Sequence, residues 1–121
     1  MSDPRTVLVV DDSEVARAVV RRRLEQLGFR VHTLSSTREI DRALVDVQPD
    51  LLLVDLEMPD ESGDEATRRL GARAKVVLHS SLDEPELARR AVACGAVGFI
   101  RKTSDEAAFV EAFRVMLERA R

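Results

Sequence analysis

Asp11, Asp12 and Asp55 are the residues best placed to do chemistry, because each follows a short apolar run that reads as a buried strand. Val7-Leu8-Val9-Val10 leads into Asp11-Asp12, and Leu51-Leu52-Leu53-Val54 leads into Asp55. A third run, Val97-Gly98-Phe99-Ile100, leads into Arg101-Lys102. Continuous apolar runs suit strands covered on both faces of a parallel sheet. Ligands of such sheets bind just beyond the carboxyl ends of the strands. The three carboxylates and the Lys102 ammonium are therefore expected at one sheet edge. Clustered carboxylates repel one another unless a cation sits among them, and Mg²⁺, a hard ion that takes oxygen ligands, is the natural candidate. The chemistry this predicts is magnesium-dependent phosphoryl transfer, with the Asp55 carboxylate as nucleophile and acceptor.

Each of these residues also has a plainer reading. Asp11 and Asp12 precede a helix, where an acid is favoured by free N–H groups and the helix dipole. One acid satisfies that role, and Ser13 does too, so the second acid is better explained by a cation. A lysine at a strand end is often an edge charge of no consequence. Lys102, however, comes from the same sheet end as the acids, where it can pair with Asp55 and then hold a phosphoryl oxygen. Ser80 offers a hydroxyl after Val76-Val77-Leu78-His79, although it or Ser81 would equally cap the next helix. His32 and His79 fit no metal-ligand spacing and are assigned no catalytic role. Cys94, near a helix end, reads as packing.

The elements that must position these groups alternate strand and helix along the chain, which predicts a β/α fold with a parallel sheet. Strands are expected over 6–10, 30–34, 51–55, 75–79 and 97–101. The first helix runs from about Ser13 to Leu27, with Gly28 as its stop. Ser36-Thr37-Arg38-Glu39 matches a capping box opening a helix that ends before Pro49. A short helix from about Asp64 to Leu70 stops at Gly71, and another covers about Asp83 to Cys94. Thr103-Ser104-Asp105-Glu106 is a second capping-box match, and Phe109, Phe113, Met116 and Leu117 then form one core-facing stripe.

Bulk properties narrow the function. A length of 121 residues suits one domain, taken as 1–121, with no repeat or linker inside it. The net charge of −3 is spread over both signs, so neither a nucleic-acid nor a membrane partner is expected. Aromatic residues are 3% with no Trp or Tyr, which argues against base-stacking platforms. The start Met1-Ser2-Asp3-Pro4-Arg5 has no apolar signal region. A single cysteine fits a reducing cytoplasm. Because the sequence stops about where its last helix does, no appended output domain is expected within these 121 residues.

Taken together, VVDDSE, LLLVDLEMP with Gly63, LHSS and GFIRK resemble, in order and spacing, the receiver domains of bacterial two-component response regulators. The resemblance spans essentially the whole chain and is closest in kind to the stand-alone, chemotaxis-regulator-like type. It implies a flavodoxin-like, doubly wound (βα)5 fold whose five-stranded parallel sheet has the order 2-1-3-4-5. It further implies that Asp55 accepts a phosphoryl group from a sensor histidine kinase or phosphotransfer protein. Asp12 and Asp55 would ligate Mg²⁺ directly, Asp11 through water and Glu57 through its main-chain carbonyl. Ser80 and Lys102 would hold phosphoryl oxygens, and Phe99 would turn inward with Ser80 on activation. The surface of the fourth helix, fifth strand and fifth helix would then be read by a downstream protein target. Such a domain is no conventional enzyme, but is expected to catalyse its own phosphorylation and dephosphorylation, as a monomer or weak dimer.

Some positions depart from the family's pattern. Thr103 follows Lys102 where proline is usual, so the backbone there must be set by other means. The third helix is short, Glu57 adds an acid beside the site, and Ser80 replaces a frequent threonine. Flavin and dinucleotide sites are disfavoured, because Asp11-Asp12 would repel a phosphate and no Gly-x-Gly-x-x-Gly follows a strand. A haloacid-dehalogenase-type phosphatase wants an Asp at position 57. Two alternatives remain: an interaction module that signals without phosphorylation, and a receiver cut from a longer multidomain regulator.

Overall fold

The computed structural model describes residues 5–121, so the polar start Met1 to Pro4 lies outside the described residues. The apolar runs form β1 (Thr6–Val10), β2 (Arg30–Leu34), β3 (Leu51–Asp55), β4 (Val76–Ser80) and β5 (Gly98–Arg101). Between and after them lie α1 (Glu14–Gln26), α2 (Ile40–Asp46), α3 (Gly63–Leu70), α4 (Glu84–Cys94) and α5 (Glu106–Arg119). Every strand pairing is parallel, and the sheet order is β2-β1-β3-β4-β5, as the resemblance implies.

Apolar residues at successive strand positions are needed because both faces of the sheet are covered. Leu8, Val10, Leu52, Val54 and Leu78 pack with Ile40, Leu70 and Leu87 of α2, α3 and α4. Val7, Val9, Leu51, Leu53 and Val77 pack instead with Val20 and Leu24 of α1 and Phe109 and Phe113 of α5. Each fully buried Leu or Phe contributes about 1.5–3 kcal/mol. The central strand β3 is buried from Leu51 through Asp55, as β4 is along its whole length, so Asp55 ends a strand held between two neighbours.

Local signals at the helix ends explain the boundaries. The Ser13 hydroxyl accepts from the Ala16 N–H at 3.1 Å, and Asp83 and Asp105 cap α4 and α5 in the same way. Gly95 ends α4 with a φ of +82°, in the left-handed region that a side chain disfavours. Some expectations shift. At Ser36 a 3₁₀ turn over Thr37–Glu39 intervenes before α2, and the hydroxyl caps Arg38 rather than closing a box. α2 stops at Asp46, and Gln48, ahead of Pro49, has a φ of +53°. The complete capping box is at Ser62 and Glu65, opening α3. At Thr103 no box forms, because Asp105 is the cap and Thr103 accepts the Asp105 N–H. β4 lies one residue later than the expected 75–79, at Val76–Ser80, which makes that serine the last rung of the ladder.

Candidate active site

β1 leads one way to β2 and lies against β3 on its other side, so the carboxyl ends of β1 and β3 meet where the sheet order reverses. Val10 pairs with Val54, so Asp11 and Asp55 leave adjacent strands at the same level. Oxygen atoms of Asp11, Asp12 and Asp55 all lie within 4.8 Å of one another. Asp11 and Asp55 are buried, 2% and 5% exposed, whereas Asp12 is exposed to solvent. Two of the three acids have thus lost most of their water, which is costly unless opposite charge replaces it.

Lys102 supplies part of that charge. Its Nζ lies 3.0 Å from Asp11 Oδ2 and 3.6 Å from Asp55 Oδ2, so its nearer partner is Asp11 rather than Asp55. Burial works against its ammonium, but the bonds to Asp11 and the charge of Asp55 outweigh it and raise its pKa. Asp55 is pushed up to about 6, first by burial and then by the negative charge of Asp11, with Lys102 and the Glu57 N–H pulling the other way. A carboxyl raised despite an adjacent lysine marks a site short of positive charge.

Backbone contacts fix the acids' orientation. Asp11 Oδ1 accepts from the Ser13 N–H at 2.9 Å, and Asp55 Oδ1 accepts from the Glu57 N–H at 3.2 Å. Arg17 Nη1 donates to the Asp11 carbonyl at 2.6 Å. The loop after Asp55 is closed by the Gly63 N–H donating to Leu56 O at 2.9 Å. A Cβ on Gly63 would press into the Asp55 carbonyl oxygen and meet Leu56 Cα at 3.0 Å, so the glycine is needed for this close approach.

Ser80 is fully buried, and its Oγ accepts from the Leu82 N–H at 3.1 Å. The Ser80 carbonyl accepts from the Lys102 N–H at 2.8 Å, which joins the two residues across the β4 and β5 ends. Phe99 is half-buried on β5 against the core beneath α4. All the site residues inferred from the sequence therefore gather at one sheet edge, except Phe99, which lies further back on β5. His79 points to the opposite face, edge-on to Phe109 with ring centroids 5.9 Å apart. Burial, and then the nearby Lys102 charge, push it down to about 4, so it is neutral at physiological pH.

Sequence reasoning passed over Arg23. It is 8% exposed, and its Nη1 and Nη2 donate to the carbonyls of Thr103 at 3.1 Å and Ser104 at 3.4 Å. The signal was present: Arg23 interrupts the inward face of α1 between Val20 and Leu24, where an apolar residue is expected.

The donor set fits Mg²⁺. It offers three carboxylates, all hard oxygen ligands, with solvent access at Asp12 for the waters this ion keeps.

Comparison with known proteins agrees with this geometry. The family model described as the response regulator receiver domain matches residues 7–114. The chemotaxis protein CheY of Halobacterium salinarum is 30% identical over 116 residues, covering 93% of this chain and 97% of that protein. A protein-glutamate methylesterase/protein-glutamine glutaminase of Caulobacter vibrioides is 38% identical over 104 residues, covering 81% of this chain but 30% of that protein. The regulatory protein AtoC of Escherichia coli is matched over only 22% of its length. The chain thus spans less than a third of several relatives. Among solved structures, the chemotaxis response regulator CheY4 of Vibrio cholerae superposes with a TM-score of 0.79 at 26% identity, over 93% of this chain and 98% of that one.

Proposed function

This chain belongs to the response regulator receiver family, and we propose that Asp55 is its phosphoryl acceptor and Lys102 the group that couples phosphorylation to the rest of the domain. Receiver domains of two-component systems take a phosphoryl group on an aspartate, and they interact with histidine kinases or phosphotransfer proteins and with downstream targets. The observation that carries the assignment is the pairing of half-buried Lys102 with the buried acids Asp11 and Asp55 at the β1–β3 reversal, with Asp55 the acid at the end of the central strand.

In the proposed reaction an Asp55 carboxylate oxygen attacks the phosphorus of a phosphohistidine. The O–P bond forms as the P–N bond breaks, and the imidazole nitrogen leaves with the electron pair. Asp55 must be ionised to attack, and a carboxyl near 6 is largely ionised at neutral pH. Asp12 and Asp55 would hold Mg²⁺ directly, with Asp11 through water and Glu57 through its carbonyl. Held by these residues, the ion would supply positive charge to the phosphoryl oxygens. Lys102 then exchanges its contact with Asp55 for a phosphoryl oxygen. Ser80 gives up the Leu82 N–H to donate its hydroxyl to another, and Phe99 fills the space it leaves. The surface of α4, β5 and α5 changes with them, and a partner that prefers the altered surface reads the state.

Beryllofluoride, a phosphoryl mimic, tests the switch. With Mg²⁺ it should shift the amide resonances around Phe99 and α4 in the wild type. In Lys102→Ala it should shift only those beside Asp55. Wild-type shifts at Phe99 in the variant would refute the coupling role of Lys102.

A further inference from the structure

We propose that Arg23 is a positioning residue for Lys102: from α1 it grips the loop after β5 and thereby sets where the ammonium meets the acid cluster. The inference rests on the Lys102 assignment made above. Lys102 is anchored on its own N–H by Ser80, but the segment from Lys102 to the α5 cap at Asp105 belongs to no strand or helix. Apart from the Asp105 N–H that Thr103 Oγ1 accepts, no local hydrogen bond is seen to hold Thr103 and Ser104, and beside them lies a cleft of about 370 Å³ bordered by Ala16, Val19, His79 and Lys102. Packing alone therefore leaves this loop room to move.

Arg23 closes that freedom. Its two terminal nitrogens reach successive carbonyls, Thr103 O and Ser104 O, across 80 residues of sequence. A guanidinium is suited to this because its donors are fixed in one plane. The guanidinium is held in turn, with its carbon 5.3 Å from the centre of the Phe109 ring. The other end of the same helix holds the acids: Ser13, its cap, donates to Asp11 Oδ1, and Arg17 donates to the Asp11 carbonyl. One helix thus fixes both partners of the 3.0 Å Lys102–Asp11 contact. The position is a costly one for a charge, since Arg23 is 8% exposed and its Nε is buried with no hydrogen-bond partner among the described residues.

The test compares Mg²⁺ affinity with beryllofluoride affinity in the full chain. Arg23→Met keeps the apolar stem and removes the grip. Mg²⁺ affinity, set by the carboxylates, should stay within about twofold, whereas beryllofluoride affinity at saturating Mg²⁺ should fall on the order of tenfold or more, as expected when a charged group is misplaced by about an ångström. Arg23→Lys keeps the charge but not the fork, and should show the same split; it also serves if Arg23→Met does not fold. Lys102→Ala is measured alongside. Beryllofluoride affinity lowered in Lys102→Ala but unchanged in both Arg23 variants would overturn this inference and leave the Lys102 assignment standing. An unchanged affinity in Lys102→Ala would overturn both. Equal losses of Mg²⁺ and beryllofluoride affinity in a folded Arg23 variant would show a general structural role instead.

Discussion

Asp55 is the residue at which charge, burial and reactivity meet, and its raised pKa has a consequence for stability. In the metal-free protein the group is pushed to about 6 from an ordinary 3.8, first by burial and then by Asp11. The folded state therefore binds more protons than the unfolded one between those values, and this group's contribution to stability falls as pH rises through that window. His79 acts oppositely. Held down to about 4, it favours folding above its ordinary 6.5 and loses that contribution as pH falls toward 4. The two largely oppose each other over the same range, so the wild-type profile should be shallow there. Asp55→Asn removes one of them. Without Mg²⁺, urea melts should show this variant gaining stability over wild type as pH rises from about 4 to above 6, because only the wild type must carry the buried charge. A gain that is constant with pH, or that shrinks toward neutral pH, would show that Asp55 is not the acid under strain.

At the scale of elements, the β3–α3 connection holds the Asp55 backbone in place. Gly63 lets the first turn of α3 lie against the Asp55 and Leu56 backbone, and a methyl group there has only main chain to displace. Gly63→Ala should cost about 1–3 kcal/mol, the usual range for overpacking, despite alanine's better helix propensity. Denaturant unfolding measures it, and an unchanged or raised midpoint would contradict the close approach. The same elements show what a sequence discloses. Strands buried on both faces advertise themselves as apolar runs, and the charged residues ending them mark the site, so Asp11, Asp12, Asp55 and Lys102 were legible. Caps were less so. Ser36 and Thr103 match a capping box as well as Ser62 does, and only the path of the incoming chain decides which box closes. Arg23 showed in the sequence only as a charge on the inward face of α1, and its role was not legible because its partners are backbone carbonyls 80 residues away.

Across the whole molecule, the sheet brings acids from β1 and β3 to a lysine beyond β5 with Ser80 between them, while α1 ties the two sides together. No helix among the described residues is long and apolar enough to cross a membrane. The proposed role of this edge is to place one phosphoryl group on Asp55. Intact-protein mass spectrometry after incubation with a small-molecule phosphodonor tests it most directly. With Mg²⁺ the wild type should gain a single phosphoryl group, which is lost on hydrolysis, and omission of Mg²⁺ should sharply reduce the gain. Asp55→Asn should gain none under either condition, while Asp12→Ala should be labelled slowly even with Mg²⁺. Undiminished labelling of Asp55→Asn would place the acceptor at another residue and refute the assignment.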